Sequence, residues 1–231
     1  MSEHPDLTRL RREYAAREER LAASDLYSPF NPAYLFAIQQ RQRNMLRLLK
    51  QAGILSVKQK RILEIGCGSG GVLQEFLGFG AEAAHLHGID LLHARLRQAL
   101  GRFSALPVAC ADGQFLPYPS QTFDLVLQFT AFSSILNEEV KQHIAQEKIR
   151  VLRSNEVILW YDFWLNPQNP QTQGIRPKEI CALFPSCTYL FCRITLAPPL
   201  ARRLVPVPWV AAEVLEKTTL FNSHYLVAIR P

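Results

Sequence analysis

The sequence predicts an α/β domain in which a parallel sheet is covered by helices on both faces. Two observations lead there. From residue 61 onward, apolar runs of strand length alternate with amphipathic runs of helix length, the pattern of strands joined by crossover helices. Four of the 11 glycines fall between residues 66 and 71, where the first apolar run meets the first helical one, whereas nine of the 15 prolines lie beyond residue 160. With 231 residues, 48% hydrophobic and 20% charged, the chain can bury one ordinary core with an elaborated cap.

The first 25 residues are charge-dense and helix-permissive. A Pro-marked turn then precedes a helix in which Leu35, Ile38, Met45, Leu48 and Leu49 stand near helical spacing, closed by Gly53 as its C-cap. Residues 61–66 (RILEIG), 84–90 (AHLHGID) and 106–112 (LPVACAD) read as strands, separated by helical stretches at 70–80 and 91–103. Residues 122–132 form a buried strand. A helix is expected over 137–153, N-capped by Asn137, acidic in its first turn and basic in its last. A strand follows at 157–163. Beyond it come a Pro/Asn/Gln loop (164–177), a short helix (177–184), a strand (188–196), a Pro-rich connector with a helix (208–220) and a last strand (224–230).

The net charge of +6 keeps nucleic acid and anionic surfaces in view as partners. Its distribution narrows that: residues 51–150 hold nine basic and nine acidic residues, so the surplus lies in the flanks and hints at a polar or anionic small substrate. There is no basic stretch interleaved with stacking aromatics, so nucleic acid is not the expected partner. Five cysteines without CxxC or Cys/His zinc spacing, and an N-terminus lacking a signal-peptide core, point to a reducing, cytoplasmic setting. No apolar run is long enough for a transmembrane helix. His85 and His87 have no third ligand in view, so no metal site is expected, and His143 reads as solvent-facing.

The loop Glu64-Ile65-Gly66-Cys67-Gly68-Ser69-Gly70-Gly71 sits in the strand-to-helix context that lets backbone pass close to a nucleotide. Asp90 ends the next strand, where a ribose hydroxyl pair needs an acceptor. A dinucleotide-dependent dehydrogenase shares both features. The third strand separates the readings: it ends in Asp112-Gly113, where an acid can accept from an exocyclic adenine amine, followed by Leu116-Pro117 and Phe123-Asp124-Leu125-Val126.

From Lys60 to Phe163 the chain resembles the class I S-adenosylmethionine-dependent methyltransferases, in the small-molecule branch with EIGCGSG, an acid after the second strand and D-x-x-x-L-P-x-x-x-x-x-F-D-L-V. The resemblance implies a Rossmann-like sheet of seven strands, mostly parallel, with the last strand antiparallel between its neighbours, and S-adenosyl-L-methionine as cofactor. It implies that Gly66, Cys67, Gly68 and Gly70 line the methionine and ribose side with Glu64 beneath, that Asp90 holds the ribose and Leu91 packs on adenine, that Asp112 and Gly113 read the adenine edge, and that Gln128 and Phe129 border the sulfonium. The chain departs from the family at the turn before the fifth strand, Leu152-Arg153-Ser154-Asn155-Glu156 in place of Leu-x-Pro-Gly-Gly. The expected organisation is an N-terminal helical lid over residues 1–55 on a cofactor-binding domain over 56–231.

An acceptor would lie over the carboxyl ends of the strands. Asp162 is the first candidate base there, with Tyr161 orienting it; Phe132 and Ser133, the lid residues Tyr27 and Phe30, and Arg176 in the loop after the fifth strand are candidate substrate contacts. Asn31-Pro32-Ala33-Tyr34 invites comparison with the Asn-Pro-Pro-Tyr loop of amino-directed nucleic-acid methyltransferases, but it precedes the core, where Pro32 is more simply a first-turn helix residue. The runs FNPAYLFAIQQRQR, LQFTAFSSIL, GIRPKEICALFPSC and TLAPPLARRL further resemble bacterial methyltransferases found among polysaccharide and natural-product genes. The expected function is methyl transfer to an oxygen or nitrogen of a small molecule, a sugar or secondary metabolite, by a monomer or homodimer. The alternatives are an NAD(P)-dependent oxidoreductase on the same loop and a nucleic-acid methyltransferase or binding protein.

Overall fold

A computed structural model describes residues 5–21, 24–165 and 171–231. In chain order the elements are α1 (Pro5–Leu21), α2 (Pro32–Gln51), β1 (Ile62–Ile65), α3 (Gly71–Gly78), β2 (Leu86–Asp90), α4 (His93–Arg102), β3 (Val108–Cys110), β4 (Phe123–Phe129), α5 (Glu138–Val151), β5 (Leu152–Phe163), α6 (Pro177–Leu183), β6 (Thr188–Leu196), α7 (Pro198–Leu204), α8 (Trp209–Lys217) and β7 (Asn222–Arg230). The strands form one sheet in the order β3-β2-β1-β4-β5-β7-β6, parallel except that β7 runs antiparallel to both β5 and β6. This is the seven-stranded arrangement that the sequence predicts.

Alternation along the central strands divides the core into two layers. Ile62, Leu125, Leu127 and Leu159 face one side, packed with Met45, Leu48 and Leu49 of α2 and with Leu73 and Phe76 of α3. Leu63, Val126, Ile158 and Trp160 face the other, against Val140, Ile144 and Ala145 of α5 and Ile180 of α6. Each such buried Leu, Ile or Phe contributes roughly 1.5–3 kcal/mol of transfer free energy. A third cluster, with Phe36, Ala201, Val205 and Ala212, seats α7 and α8 on α2. Thus α2 belongs to the core at its C-terminal half and projects towards the site at its N-terminal half.

Local chemistry sets the helix ends. The Asn31 side chain accepts from the backbone N–H groups of Ala33 (3.0 Å) and Tyr34 (3.3 Å), and Pro32 occupies the first turn. The Asn-Pro-Ala-Tyr sequence is therefore an N-cap. Asn137 caps α5 through Val140 N–H at 3.0 Å. The helix expected to reach residue 153 stops at Val151, because Leu152 already pairs with Phe123 and Arg153 donates to Asp124 at 2.7 Å. As a result β5 begins five residues earlier than the sequence suggests, with Asn155 supplying a left-handed turn residue (φ 64°). The connector after β6 also contains a helix, α7, begun by Pro198 and Pro199 at positions that need no N–H. Among the described residues no helix is long and apolar enough to cross a membrane, and no cluster of three metal-ligating side chains occurs.

Candidate cofactor and acceptor cleft

Over the carboxyl ends of β1, β2 and β4 lies a cleft of about 1650 Å³, closed from above by α1 and the start of α2. Its floor is the glycine loop. The N–H groups of Gly66 and Cys67 both donate to Ile89 O at 2.9 Å, folding the loop back on β2. Gly66 has φ +77° and a Cβ there would sit 3.0 Å from Ala131 Cβ; Gly68 has φ +54° and a Cβ would sit 2.9 Å from the Arg95 guanidinium carbon. Both positions favour glycine by conformation, and Gly66 also by its close approach to Ala131. Asp90 fixes the loop further, one carboxylate oxygen accepting from Gly68 N–H and the other from Leu92 N–H, each at 2.8 Å. Asp112 accepts from Gln114 N–H (2.9 Å) and Gln114 Nε2 (3.0 Å).

Beneath the loop the Glu64 carboxyl is buried, and one of its oxygens, Oε2, has no hydrogen-bond partner among the described residues. Burial is the main cause that pushes its pKa up to about 8, with Arg41 pulling the other way. Arg41 reaches in from α2, ion-paired to Glu75 of α3, with its guanidinium 5.7 Å from the Phe129 ring and 5.5 Å from the Tyr161 ring. Burial likewise pushes the Cys67 thiol up, so it is not a ready nucleophile.

Residues 62–155 match the family model described as a methyltransferase domain. That match covers less than half of the chain and takes in the glycine loop, Asp90 and Asp112. It is 28% identical to an uncharacterised protein of Haemophilus influenzae over 125 residues, 50% of this chain and 47% of that protein. It is 35% identical to a malonyl-[acyl-carrier protein] O-methyltransferase of Geobacter sulfurreducens over 95 residues, 40% of this chain and 35% of that one. The chain thus spans less than half the length of either relative. In fold it is similar to the S-adenosylmethionine-dependent methyltransferase of Mesorhizobium loti, with a TM-score of 0.58, 17% identity, and 84% and 98% of the two chains covered.

The site fits S-adenosylmethionine, the cofactor that the methyltransferase-domain match implies. A buried carboxyl oxygen without a partner faces the cleft at Glu64, where an ammonium group can take it, and the backbone at Gly66 and Gly68 leaves room that any side chain would fill. Glu64 and Arg41 would hold the charged amino-acid end, Asp90 the ribose and Asp112 with Gly113 the adenine edge. Of the residues singled out from the sequence, Glu64, Gly66, Cys67, Gly68, Asp90, Leu91, Asp112, Gly113, Phe129, Phe132 and Tyr27 line the cleft.

The others lie elsewhere. Gly70 caps α3 behind the loop, with φ +80°, against Ala99. Gln128 and Ser133 are buried beneath the wall. Tyr161 lies under Arg41, its hydroxyl 2.8 Å from Thr195 Oγ1 and its ring stacked on His224; burial pushes its pKa up to about 12. The Asp162 carboxylate, only 1% exposed, faces away from the cleft. It accepts from Gln128 Nε2 (2.8 Å), Ser133 N–H (3.1 Å) and Phe163 N–H (2.9 Å), and Lys148 Nζ donates to Gln128 Oε1 at 3.3 Å. That ammonium sits 3.8 Å from the Phe132 ring centroid and 4.8 Å from the Trp160 ring. Burial pushes the Asp162 pKa up and the Lys148 pKa well down. Arg176 is exposed at the start of α6, and Phe30 is 96% exposed outside the cleft wall. In the loop after β5, residues 166–170 lie outside the described residues.

Tyr34, which the sequence places with Tyr27 and Phe30 in the lid, lines the cleft, and so do Arg41, Glu75 and Tyr14, which were not singled out as cofactor or acceptor contacts. Tyr14 donates to Ser134 Oγ at 3.1 Å, fastening α1 to the turn after β4. Arg17 donates to the Tyr27 hydroxyl at 2.8 Å, and the Tyr27 and Tyr34 rings meet edge to face at 5.7 Å. Tyr34, Ile38 and Arg41 follow the i, i+4, i+7 spacing of one helix face, a signal readable in the sequence.

Proposed function

We propose that the protein moves a methyl group from S-adenosylmethionine to an oxygen or nitrogen of a small acceptor, a sugar or secondary metabolite. What supports this best is the size and division of the cleft. At about 1650 Å³ it exceeds the roughly 300–1,000 Å³ of a site for one drug-sized ligand. Its carboxylates gather at the sheet side, where the cofactor belongs, while Tyr14, Arg17, Tyr27 and Tyr34 stand across from them on the helical side. When bound, S-adenosylmethionine supplies an electrophilic methyl and its own leaving group. The chain has to orient the acceptor and exclude water. Phe129 and Phe132 give the meeting place of the two halves an apolar wall, and α1 and α2 cover it. The Geobacter relative is named an O-methyltransferase, which supports oxygen as the acceptor atom. The guanidinium groups of Arg17 and Arg102 at the cleft suit an acceptor with polar or anionic groups.

Asp162, first considered as a base, acts in this reading as a positioning group: its carboxylate holds Ser133 N–H, and thereby the turn that carries Phe132. The free cysteines suit a reducing, cytoplasmic setting. Calorimetry with S-adenosylhomocysteine, followed by label transfer from methyl-labelled S-adenosylmethionine to hydroxylated and amino acceptors, tests the proposal. Absence of S-adenosylhomocysteine binding at high micromolar ligand would overturn it.

A further inference from the structure

The α7–α8 edge presents an apolar face that no element covers among the described residues. α8 turns Ala212 and Glu216 inward. On its opposite side Val210 and Val214 are 71% and 58% exposed, and Val207 in the turn before α8 and Phe221 in the turn after it are 87% and 49% exposed. Phe30, 96% exposed, stands just before α2, the helix on which α8 is seated through the edge-to-face contact of Phe36 and Trp209 at 5.3 Å. These apolar residues have basic company. Residues 24–52 and 193–221 together hold eight Lys and Arg against three Asp and Glu, although one of the eight, Arg41, turns into the cleft and is ion-paired with Glu75 of α3. Of the three acids, Glu216 is buried and Glu213 is paired with Arg43 at 2.7 Å, while Arg202, Arg203 and Lys217 are exposed.

We propose that this face, Phe30 with the α8 stripe, docks on an anionic lipid surface. Exposed Phe and Val side chains enter the boundary between headgroups and acyl chains, and flanking Arg and Lys meet the phosphates. A second copy fits less well. A nine-residue helix is about 13 Å long and roughly 10–12 Å wide, a footprint of about 150 Å² against the roughly 800 Å² per partner of a stable interface. A two-fold contact also sets the same basic residues on both sides. Tyr27 and Pro29, next to Phe30, line the cleft, so docking brings the mouth of the cleft to the headgroups. The inference goes beyond methyl transfer and does not depend on it.

The test is flotation of the full chain with mixed phosphatidylglycerol–phosphatidylcholine vesicles and with pure phosphatidylcholine vesicles, at low and high salt. Binding is expected to the anionic vesicles only, to weaken with salt, and to fall about fivefold for each charge removed in Arg202→Ala and Arg203→Ala. The double variant Val210→Glu/Val214→Glu is expected to abolish it. Both sites are exposed, so the variant should fold, which S-adenosylhomocysteine calorimetry or a thermal melt checks separately. No flotation with anionic vesicles at low salt, flotation unchanged by the double variant, or a sedimenting dimer that this variant dissolves would each overturn the proposal.

Discussion

Asp162→Asn separates a positioning carboxylate from a catalytic one. The carboxylate accepts from three donors: Gln128 Nε2 and Ser133 N–H on one oxygen, Phe163 N–H on the other. An asparagine has one acceptor oxygen and one donor nitrogen. If its nitrogen faces Phe163, two donors oppose each other. If it faces Gln128 and Ser133, Gln128 can rotate its amide, but Ser133 N–H is orphaned and the Gln128 oxygen is withdrawn from Lys148. Either way at least one buried donor loses its partner, at about 1–3 kcal/mol, and the surviving bonds lose their charge assistance, about 1 kcal/mol. The total of about 2–4 kcal/mol, at about 2–4 °C per kcal/mol for a chain of this size, lowers Tm by about 4–16 °C. A thermal melt beside S-adenosylhomocysteine calorimetry and turnover measures this. The melt should shift strongly, and turnover at a temperature where the variant is folded should fall only partly. An unchanged Tm with turnover lost would refute the reasoning and return Asp162 to the role of base.

Three further outcomes follow from the cofactor side. Asp90→Ala removes the acceptor for Gly68 N–H and Leu92 N–H together with the proposed ribose contact, so S-adenosylhomocysteine binding should drop by at least about a hundredfold, by roughly 3 kcal/mol or more; unchanged affinity would mean the ribose lies elsewhere. Glu64 keeps its proton to about pH 8 when folded, against an ordinary value of 4.5, so its contribution to stability is largest below pH 4.5 and is lost as pH rises towards 8. An ammonium group placed beside it favours the anion, so S-adenosylhomocysteine should bind more tightly as pH approaches 8 and release a proton; calorimetry in buffers of different ionisation heat reads this, and Glu64→Gln should flatten it. Gly66→Ala meets a left-handed φ of +77° and a contact of 3.0 Å with Ala131; a loss of about 1–2 kcal/mol in stability is expected in chemical denaturation, with weakened cofactor binding.

The sheet was legible because each strand carries its own signal. ILEI and FDLVLQF are buried at every residue, and near-continuous apolar runs, broken here only by Glu64, Asp124 and Gln128, are what central parallel strands show. The glycine loop was legible because backbone conformation at Gly66 and Gly68 restricts residue type directly. The helical side of the cleft was less so, because its residues arrive from helices that reach the cleft only through tertiary packing. Arg41 finds Glu75 across 34 residues, and Tyr14 finds Ser134 across 120. Asp162 shows where strand-end reasoning fails. Residues 160 and 162 of β5 share one face and residue 161 the other. Trp160 belongs to the layer packed on α5 and Tyr161 to the layer packed on α2. Sequence position places Asp162 at the correct end of the sheet, but the register decides that its carboxylate meets Gln128 and Ser133 rather than the cleft.

The same alternation explains how two buried charge systems act on one turn. On one face of β5, Arg41 is held by Glu75 beside Phe129 and Tyr161. On the other, Lys148, Gln128 and Asp162 are linked by hydrogen bonds beneath Phe132 and Ser133. Between them runs the segment 129–133, which includes Thr130 at φ +51°, an uncommon conformation for a β-branched residue, fixed by its N–H to Tyr161 O at 2.7 Å. Strain at one residue persists only where the surroundings over-determine it. Here the restraints come from both layers of the core, so Phe129 and Phe132 reach the cleft from a turn whose shape is set before any ligand binds. Buried ionic groups are a poor source of stability. Their position on either side of this turn accounts better for their presence: they fix the wall that Phe129 and Phe132 give the cleft.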